Sequence, residues 1–212
     1  MISTITDSKI KNRKHAAQLV SQQLKEYHLQ NGVVVAVPPG GAAIGFHVAR
    51  ELGLPLIVIS CKEIEHPRDS RKSIGSVCED EKVIHNDDRG IPADYISNQI
   101  NRLQHSAKVE NDFYNAGKES IALADKTVIL IIDKLSNADA LLACINCIKK
   151  EKPLKIIVAV ALAKPEAANI ISGCVDEFLY LHTDAAHFEN DFDTILDEET
   201  QHFFKVHDKI LH

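Results

Sequence analysis

The sequence predicts an α/β fold, a doubly wound and mainly parallel five-stranded sheet with helices on both faces. Five short runs rich in β-branched residues recur along the chain, and most of them lead into a helical pattern. The runs are apolar on both faces, which is typical of parallel strands buried between helices. A chain of 212 residues that is 45% hydrophobic can bury one core, so we expect a single domain over residues 1–212.

The predicted elements follow one another in a simple order. An amphipathic helix from Ser8 to Gln30 precedes the first strand, because its apolar residues recur at helical spacing. The five strands are predicted at Gly32 to Val37, Leu54 to Ser60, Lys126 to Asp133, Leu154 to Leu162 and Val175 to Leu181. This alternation of strand and helix is the pattern of a doubly wound sheet.

Two segments lie outside this alternation. The insertion at 61–125 separates the second strand from the third, with a short strand at Lys82 to His85 and a long polar helix from Pro92 to Gly117. The segment 182–212 is acidic and less periodic until a terminal helix from about Asp197. We expect these two segments to supplement the core sheet rather than to belong to it.

Charge and hydropathy exclude some classes of function. The net charge of -6 argues against a nucleic-acid partner, because neutralising a phosphate backbone requires a basic face. No apolar run approaches the roughly 20 residues that span a bilayer, and residues 1–30 contain no signal-peptide core. The sequence therefore predicts a cytoplasmic protein without a membrane partner.

The cysteines and histidines predict no metal site. Five cysteines are an odd number, which favours free thiols in a reducing compartment over a disulfide framework. Cys144 and Cys147 form a C-x-x-C inside an apolar helical pattern, where we interpret them as small buried hydrophobic residues. A zinc or redox pair is the alternative, but no second Cys or His pair lies nearby, and the eleven histidines include no H-x-x-x-H.

Two turns are the candidate ligand sites, because ligands of such sheets bind at the carboxyl ends of strands where the strand order reverses. After the first strand comes "PPGG", Pro38 to Gly41, directly before a helix. Glycines there let an anion approach backbone N–H groups, although a Gly-Gly pair also simply makes a tight turn. The third strand ends at Asp133, and the turn that follows contains no glycine and a second acid, Asp139.

Five motifs in order resemble the type I phosphoribosyltransferases, specifically a bacterial group of them. They are "VPPGG" from Val37, "KEIEHP" from Lys62, "SIGSV" from Ser73, "IDKLSNADA" from Ile132, and Asp191-Phe192 followed by Asp197 to Glu199. The resemblance extends from about Thr6 to Phe203. It implies the phosphoribosyltransferase fold, with 61–125 as a lid and 182–212 as a C-terminal hood.

The resemblance also implies a reaction and its residues. Such enzymes transfer phosphoribosyl from phosphoribosyl pyrophosphate, bound with Mg²⁺, to a nitrogen nucleophile, and they are commonly homodimers. The protein contributes positioning and electrostatics, since no covalent nucleophile is needed. The positions so implied are Asp133 as catalytic residue and, for substrate binding, Pro38, Gly40, Gly41, Lys62, Lys134, Ser136 and Asn137. A phosphorylated small molecule is the implied partner.

Several positions depart from the family pattern. The first acid of the strand-end pair is Ile132, and Lys134 and Ala138 stand at the two glycines of the phosphate turn. Pro39 replaces an arginine in the first loop, and Asp139 adds a carboxylate beside the expected phosphate. We therefore expect weak or absent donor binding and a turn closed by local hydrogen bonds, with the Asp139 carboxylate or the Ser136 hydroxyl capping the helix.

Three hypotheses for function follow. The first is a phosphoribosyltransferase of altered specificity, with catalysis impaired or lost. The second is a non-catalytic regulatory protein that binds a nucleotide or another small anion. The third is a scaffold protein of the same fold, whose pocket is closed by its own side chains.

Overall fold

The computed structural model describes residues 2–4, 10, 12–27, 29, 31–84, 90–116 and 120–182. In these residues the chain forms nine strands and five helices. The strands are β1 (Ile2–Thr4), β2 (Gly32–Ala36), β3 (Leu56–Val58), β4 (Lys62–His66), β5 (Asp69–Val77), β6 (Lys82–Ile84), β7 (Thr127–Leu135), β8 (Lys155–Ala163) and β9 (Glu177–His182). The helices are α1 (Arg13–Leu24), α2 (Gly40–Leu52), α3 (Ala93–Tyr114), α4 (Asp139–Lys150) and α5 (Pro165–Ser172). The predicted hood and terminal helix lie outside the described residues, apart from position 182.

One parallel sheet confirms the predicted α/β architecture. Its order is β1-β9-β8-β7-β2-β3, and every neighbouring pair is parallel. All five predicted strands are present, and β1 adds a sixth strand at one edge. The chain places β3 on one side of β2 and β7 on the other, so the strand order reverses between β2 and β7. Ligands of doubly wound folds bind at such a point.

Helices cover both faces of this sheet. On β7, Ile129 and Ile131 point into the core formed with α1 and α2, whereas the alternate residues Val128 and Leu130 point into the core formed with α4 and α5. Successive strand side chains point to opposite faces, so both sets are buried only if both faces are covered. None of the helices among the described residues is both long and apolar enough to cross a membrane.

The predicted first helix is shorter than expected. It begins at Arg13 and not at Ser8, because the side chain of Asn12 accepts a hydrogen bond from the backbone N–H of His15 and so caps the helix. It ends at Leu24 and not at Gln30. The predicted helix was too long at both ends because the prediction relied only on the spacing of apolar residues.

The insertion contains a hairpin that the sequence pattern did not predict. Strands β4 and β5 pair antiparallel, and β6 joins β5. One face of this small sheet packs on α3 through Ile64, Ile74, Val77 and Ile100. The other residues of β4 are mostly charged, which hid the strand from a search for apolar runs.

Two asparagines complete the hydrogen bonding of the edge strand β3. One is Asn111 of α3, and the other is Asn115, the C-terminal cap of that helix. The Asn115 side chain accepts from the Val58 N–H and donates to the Val58 carbonyl, both at 2.9 Å. The Asn111 side chain accepts from the Ser60 N–H at 2.6 Å. These side chains form the backbone hydrogen bonds that a neighbouring strand would otherwise form, and they hold the insertion against the sheet edge.

Replacing Asn115 should therefore destabilise the fold. Asn115→Ala leaves the N–H and the carbonyl of the buried residue Val58 without these partners, so we expect the free energy of unfolding to fall by about 1–3 kcal/mol. Urea unfolding followed by circular dichroism measures the change. Asn101→Ala, at an exposed position of α3, is the control and should change stability little. Equal effects of the two substitutions would contradict this role of Asn115.

Candidate active site

A cleft of about 210 Å³ lies where β2 and β7 end, at the point of strand reversal. We name it the strand-end cleft. Five of the eight predicted site residues line it, namely Pro38, Asp133, Lys134, Ser136 and Asn137. Cys61 and Glu63 of the insertion line it too. A larger cavity of about 550 Å³ lies elsewhere and is lined by none of the eight predicted residues.

The Asp133 carboxylate already has partners inside the protein. One oxygen forms an ion pair with Arg13 of α1 at 3.1 Å, and the side chain is only 20% exposed. The other oxygen accepts a hydrogen bond from the Lys134 N–H at 2.8 Å. Each carboxylate oxygen keeps a further lone pair, so a sugar hydroxyl that binds Asp133 would share the carboxylate with Arg13 and the Lys134 N–H.

The two glycines of the first loop allow α2 to approach β7 closely. A Cβ at Gly40 would overlap the Asp133 carboxylate, and one at Gly41 would lie 2.6 Å from the Ile131 carbonyl oxygen. The Asp133 carboxylate thus lies at the N-terminus of α2, where the helix dipole favours negative charge. A side chain of the protein occupies the position at which an external anion was expected.

The predicted phosphate turn is shorter than expected, because β7 does not end at Asp133. Lys134 and Leu135 continue the ladder opposite Leu162 and Ala163 of β8. Only residues 136–138 remain between β7 and α4. Ile132, at the position of the missing acid, is 7% exposed and packs in the core beneath α4 and α5.

Asn137, which the prediction of a helix cap did not name, forms a hydrogen bond at the start of α4. Its side-chain oxygen accepts a hydrogen bond from the Asp139 N–H at 3.0 Å. Asp139 is the first residue of α4, which agrees with the sequence, and Ala138 before it provides no side-chain cap. The prediction of a turn held by local hydrogen bonds is confirmed by this bond of Asn137.

The hairpin β4–β5 lies over this turn. Glu63 and Asn137 lie together in the lining of the cleft, and the Ser76 hydroxyl donates to the Asp139 carbonyl. Burial raises the pKa of Glu63, and the nearby Asp139 and Glu65 carboxylates raise it further, while the Asn137 side chain opposes them. The turn is therefore bordered by negative charge, which disfavours a phosphate.

Lys62 is the charged predicted site residue that does not line the strand-end cleft. Its ammonium pairs with Glu110 of α3, and Glu110 also accepts from the Ser60 hydroxyl. Lys62 does not line the strand-end cleft, since it lies on the face of β4 that is turned toward α3. Its positive charge is neutralised within the insertion.

The residues present do not fit a complex of Mg²⁺ with phosphoribosyl pyrophosphate. Apolar Ile132 leaves Asp133 as the single acid at the strand end, and that acid is paired with Arg13. Among the residues that the structure describes, no group of three His, Cys, Asp or Glu side chains converges to hold a metal ion.

The prediction that all five cysteines are free thiols is wrong for two of them. Cys78 and Cys147 form a disulfide, although 69 residues separate them in the chain. Spacing could not reveal this bridge, because it depends on α4 packing against β5. Cys61, Cys144 and Cys174 are free, and Cys144 is buried as predicted.

Comparison with known sequences identifies the family. A sequence model of the phosphoribosyl transferase domain matches residues 1–194. The chain belongs to this phosphoribosyl transferase family. The match covers the sheet, the strand-end cleft and the insertion, so the altered residues lie within a family domain.

One curated relative is a Mycobacterium tuberculosis protein named "Putative phosphoribosyl transferase", which is 24% identical over 185 residues. The match covers 84% of this chain but 41% of the relative, so the chain spans about two fifths of the relative's length. What the remainder of that protein does is not transferable to this chain.

Solved structures support the fold. The crystal structure of the protein TT1426 from Thermus thermophilus has a TM-score of 0.77 with 23% identity, covering 93% of this chain and 98% of that one. A hypoxanthine phosphoribosyltransferase from Staphylococcus aureus has a TM-score of 0.51 with 14% identity, covering 83% of this chain and 76% of that one. At such identities the likeness concerns the fold alone.

Sequence reasoning missed two residues that decide the state of the phosphoribosyl transferase site. Glu63 was visible as the neighbour of Lys62, but its position over Asn137 requires the hairpin. Arg13 carried no signal at all, because nothing in a predicted surface helix indicates a partner 120 residues away. Both contacts are long-range in sequence.

The fit of Gly40 against Asp133 predicts a specific destabilisation. Gly40→Ala should lower the free energy of unfolding by about 1–3 kcal/mol, because the added methyl group displaces the carboxylate or the helix. In an Asp133→Ala background the same substitution should cost clearly less, since the overlapping group is gone. Thermal and urea unfolding of the four proteins provide this double-mutant cycle.

The control is Gly173→Ala, where the added Cβ meets its nearest neighbour at an ordinary 3.5 Å and the φ of -75° suits alanine. It should leave stability unchanged or raise it slightly. Additive costs of Gly40→Ala and Asp133→Ala would show that the two residues do not share this contact.

The raised pKa of Glu63 predicts a pH-dependent effect of Glu63→Gln. The folded state binds a proton at Glu63 more tightly than the unfolded state does, so this group loses its stabilising contribution as the pH rises through its pKa. Glutamine keeps an oxygen that can accept from Asn137 but carries no charge. We expect the variant to be more stable than the wild type at pH 7, with the difference shrinking as the pH falls through that pKa.

Urea unfolding across this pH range measures the difference. Glu26→Gln, which removes one charge from an exposed position before β2, controls for net charge and should show no such trend. A variant that is less stable than the wild type at pH 7 would show that the Glu63 charge stabilises the turn.

Proposed function

We propose that this chain is a phosphoribosyl transferase family protein that has lost phosphoribosyl transfer, so that the fold serves a non-catalytic function. The observation that carries the proposal is the closure of the phosphate turn. The Asn137 side chain accepts from the Asp139 N–H, Glu63 lies beside Asn137 in the cleft lining, and β7 extends to Leu135. Two groups that could bind a phosphate, the Asp139 N–H and the Asn137 side chain, are therefore engaged within the protein.

Charge supports the same conclusion. A phosphate at the start of α4 would lie beside the Glu63 and Asp139 carboxylates. Two like unit charges about 5 Å apart repel by about 3 kcal/mol at an effective dielectric constant near 20, which corresponds to about a hundredfold loss of affinity. Lys134 is the cation of the cleft lining, and one flexible ammonium does not replace a ring of fixed donors.

The volume of the strand-end cleft also supports the loss of phosphoribosyl transfer. Pockets for small molecules usually have volumes of about 300–1,000 Å³. The strand-end cleft has about 210 Å³, which is small for phosphoribosyl pyrophosphate. A non-catalytic ligand of this cleft would have to be smaller than phosphoribosyl pyrophosphate.

A phosphoribosyltransferase of altered specificity is the second candidate. It is favoured by the position of Asp133, Pro38 and Lys134 together at the strand reversal. This candidate requires the hairpin β4–β5 to move away from the turn so that a donor can reach Asp133.

Calorimetric titration with phosphoribosyl pyrophosphate and Mg²⁺ separates the two candidates. We expect no saturable heat with the wild-type chain at donor concentrations up to about 1 mM, because the turn is closed and bordered by carboxylates. A dissociation constant in the low micromolar range would overturn the proposal and favour the enzyme.

A restored variant tests whether the altered turn is the cause. Ile132→Asp, Lys134→Gly, Ala138→Gly and Asp139→Asn together restore the acid pair, both glycines and a neutral first turn. With Glu63→Gln added, the variant should bind the donor measurably and be less stable, because a new acid must be accommodated at a buried position.

The pair Glu63→Gln and Asp139→Asn keeps the backbone of the turn intact and guards against misfolding of the larger variant. It should raise the affinity for inorganic pyrophosphate by about tenfold or more, because two repelling charges are removed. If both variants fold and neither gains affinity, charge and glycine loss are not the cause, and the scaffold hypothesis is favoured.

A further inference from the structure

Four of the five cysteines meet where the hairpin β4–β5 packs on α4. Lys62 pairs with Val77 in the hairpin, so the next residues outward, Cys61 and Cys78, lie opposite each other at its open end. Side chains alternate between the faces of a strand, which places these two cysteines on the same face as Glu63 and Ser76. That face contacts the start of α4 through Asn137 and Asp139.

Helix α4 presents a matching pair. Cys144 and Cys147 are three residues apart and therefore neighbours on one side of the helix. Cys147 is bonded to Cys78, and Cys61 packs against the core cluster that contains Cys144. Each cysteine of the helix thus faces one cysteine of the hairpin, and one of the two pairs is already covalent.

Cys61 and Cys144, the pair that is not bonded, differ in their exposure to solvent. Cys144 is fully buried in the core beneath α4. Cys61 packs against that core but also lines the strand-end cleft and is partly exposed there. An oxidant that enters the cleft reaches Cys61 first, and Cys144 lies behind it.

We propose that Cys61 and Cys144 are an oxidation site that forms a second disulfide beside Cys78–Cys147 when the protein meets a small-molecule disulfide. This proposal goes beyond the proposed function and requires no ligand of the family. Its chemistry is thiol–disulfide exchange, in which the small disulfide is reduced and the two cysteines are oxidised.

The exchange balances in two steps. The Cys61 thiolate attacks one sulfur of the small disulfide, forms a mixed disulfide and releases one small thiolate, which takes up the proton that Cys61 lost. Cys144 then loses its proton and attacks the Cys61 Sγ, which releases the second small thiol. Two electrons pass from the protein to the small disulfide, and two thiols leave.

The surroundings make this exchange slow at neutral pH. Burial and the neighbouring Cys144 thiol raise the pKa of the Cys61 thiol, so little thiolate is present. The Cys61–Cys144 pair therefore persists in its reduced state unless oxidant is supplied. Below the thiol pKa, the thiolate fraction and with it the rate should rise about tenfold per pH unit.

A second bridge would change the strand-end cleft. The existing disulfide attaches the end of β5 to α4, and the new one would attach the residue before β4 to the same helix. Both strands of the hairpin would then be tied to α4, which holds Glu63 over Asn137. Oxidation should therefore keep the cleft closed, and reduction should permit it to open.

Peptide mapping by mass spectrometry tests the proposal on the full chain incubated with oxidised glutathione. We expect the peptides that contain Cys61 and Cys144 to become crosslinked with the loss of two hydrogens, while Cys78–Cys147 stays intact. In Cys144→Ser, Cys61 should retain glutathione as a mixed disulfide, because the second step is blocked. In Cys61→Ser, Cys144 should stay unmodified.

Cys174→Ser is the control and should crosslink like the wild type, since Cys174 lies in the turn that leads to β9. Hydrogen exchange of the β4 amides should slow severalfold upon oxidation in the wild type and in this control, but in neither of the other two variants. Two results would overturn the proposal. One is that Cys61 and Cys144 both still react with an alkylating reagent after prolonged oxidation at pH 9, and the other is that they form bridges to other cysteines.

Discussion

The parallel pairing of β2 with β7 is the constraint on which the rest of the structure depends. It makes the strand order reverse between these two strands, and it places the loop after β2 beside the end of β7. The first turn of α2 then lies against β7 so closely that only glycine fits at positions 40 and 41. The pair of glycines that indicated an anion site in the sequence has a packing role in the folded protein.

The same pairing determines where the charges lie. Asp133 at the end of β7 meets the N-terminus of α2 and the guanidinium of Arg13, and both favour its negative charge. The anion-binding end of the helix is thereby occupied by a carboxylate of the protein.

The hairpin β4–β5 links this site to the remainder of the insertion. Its α3 face is apolar and forms a small core, and its α4 face carries polar residues that meet the turn after β7. Lys62 and Glu63 are adjacent in the chain but belong to opposite faces, so one is neutralised by Glu110 and the other lies at the cleft. A change of one residue in strand register would exchange their roles.

The sequence by itself determined the α/β class, the five strands of the parallel sheet and the two turns at which a site had to lie. These features depend on local apolar patterns and on strand order, which a single sequence displays directly. Ile132, Lys134, Ala138 and Asp139 were likewise recognisable as departures from a family motif. Only the tertiary structure decided the bridge between Cys78 and Cys147, the hydrogen bond of Asn137 at the start of α4, the ion pair of Asp133 with Arg13, and the position of Glu63 beside Asn137. Apart from the hydrogen bond of Asn137, each of these joins residues far apart in the chain. The position of Asn137 depends on how far β7 extends beside β8. All of these features therefore follow from packing that no local sequence pattern encodes.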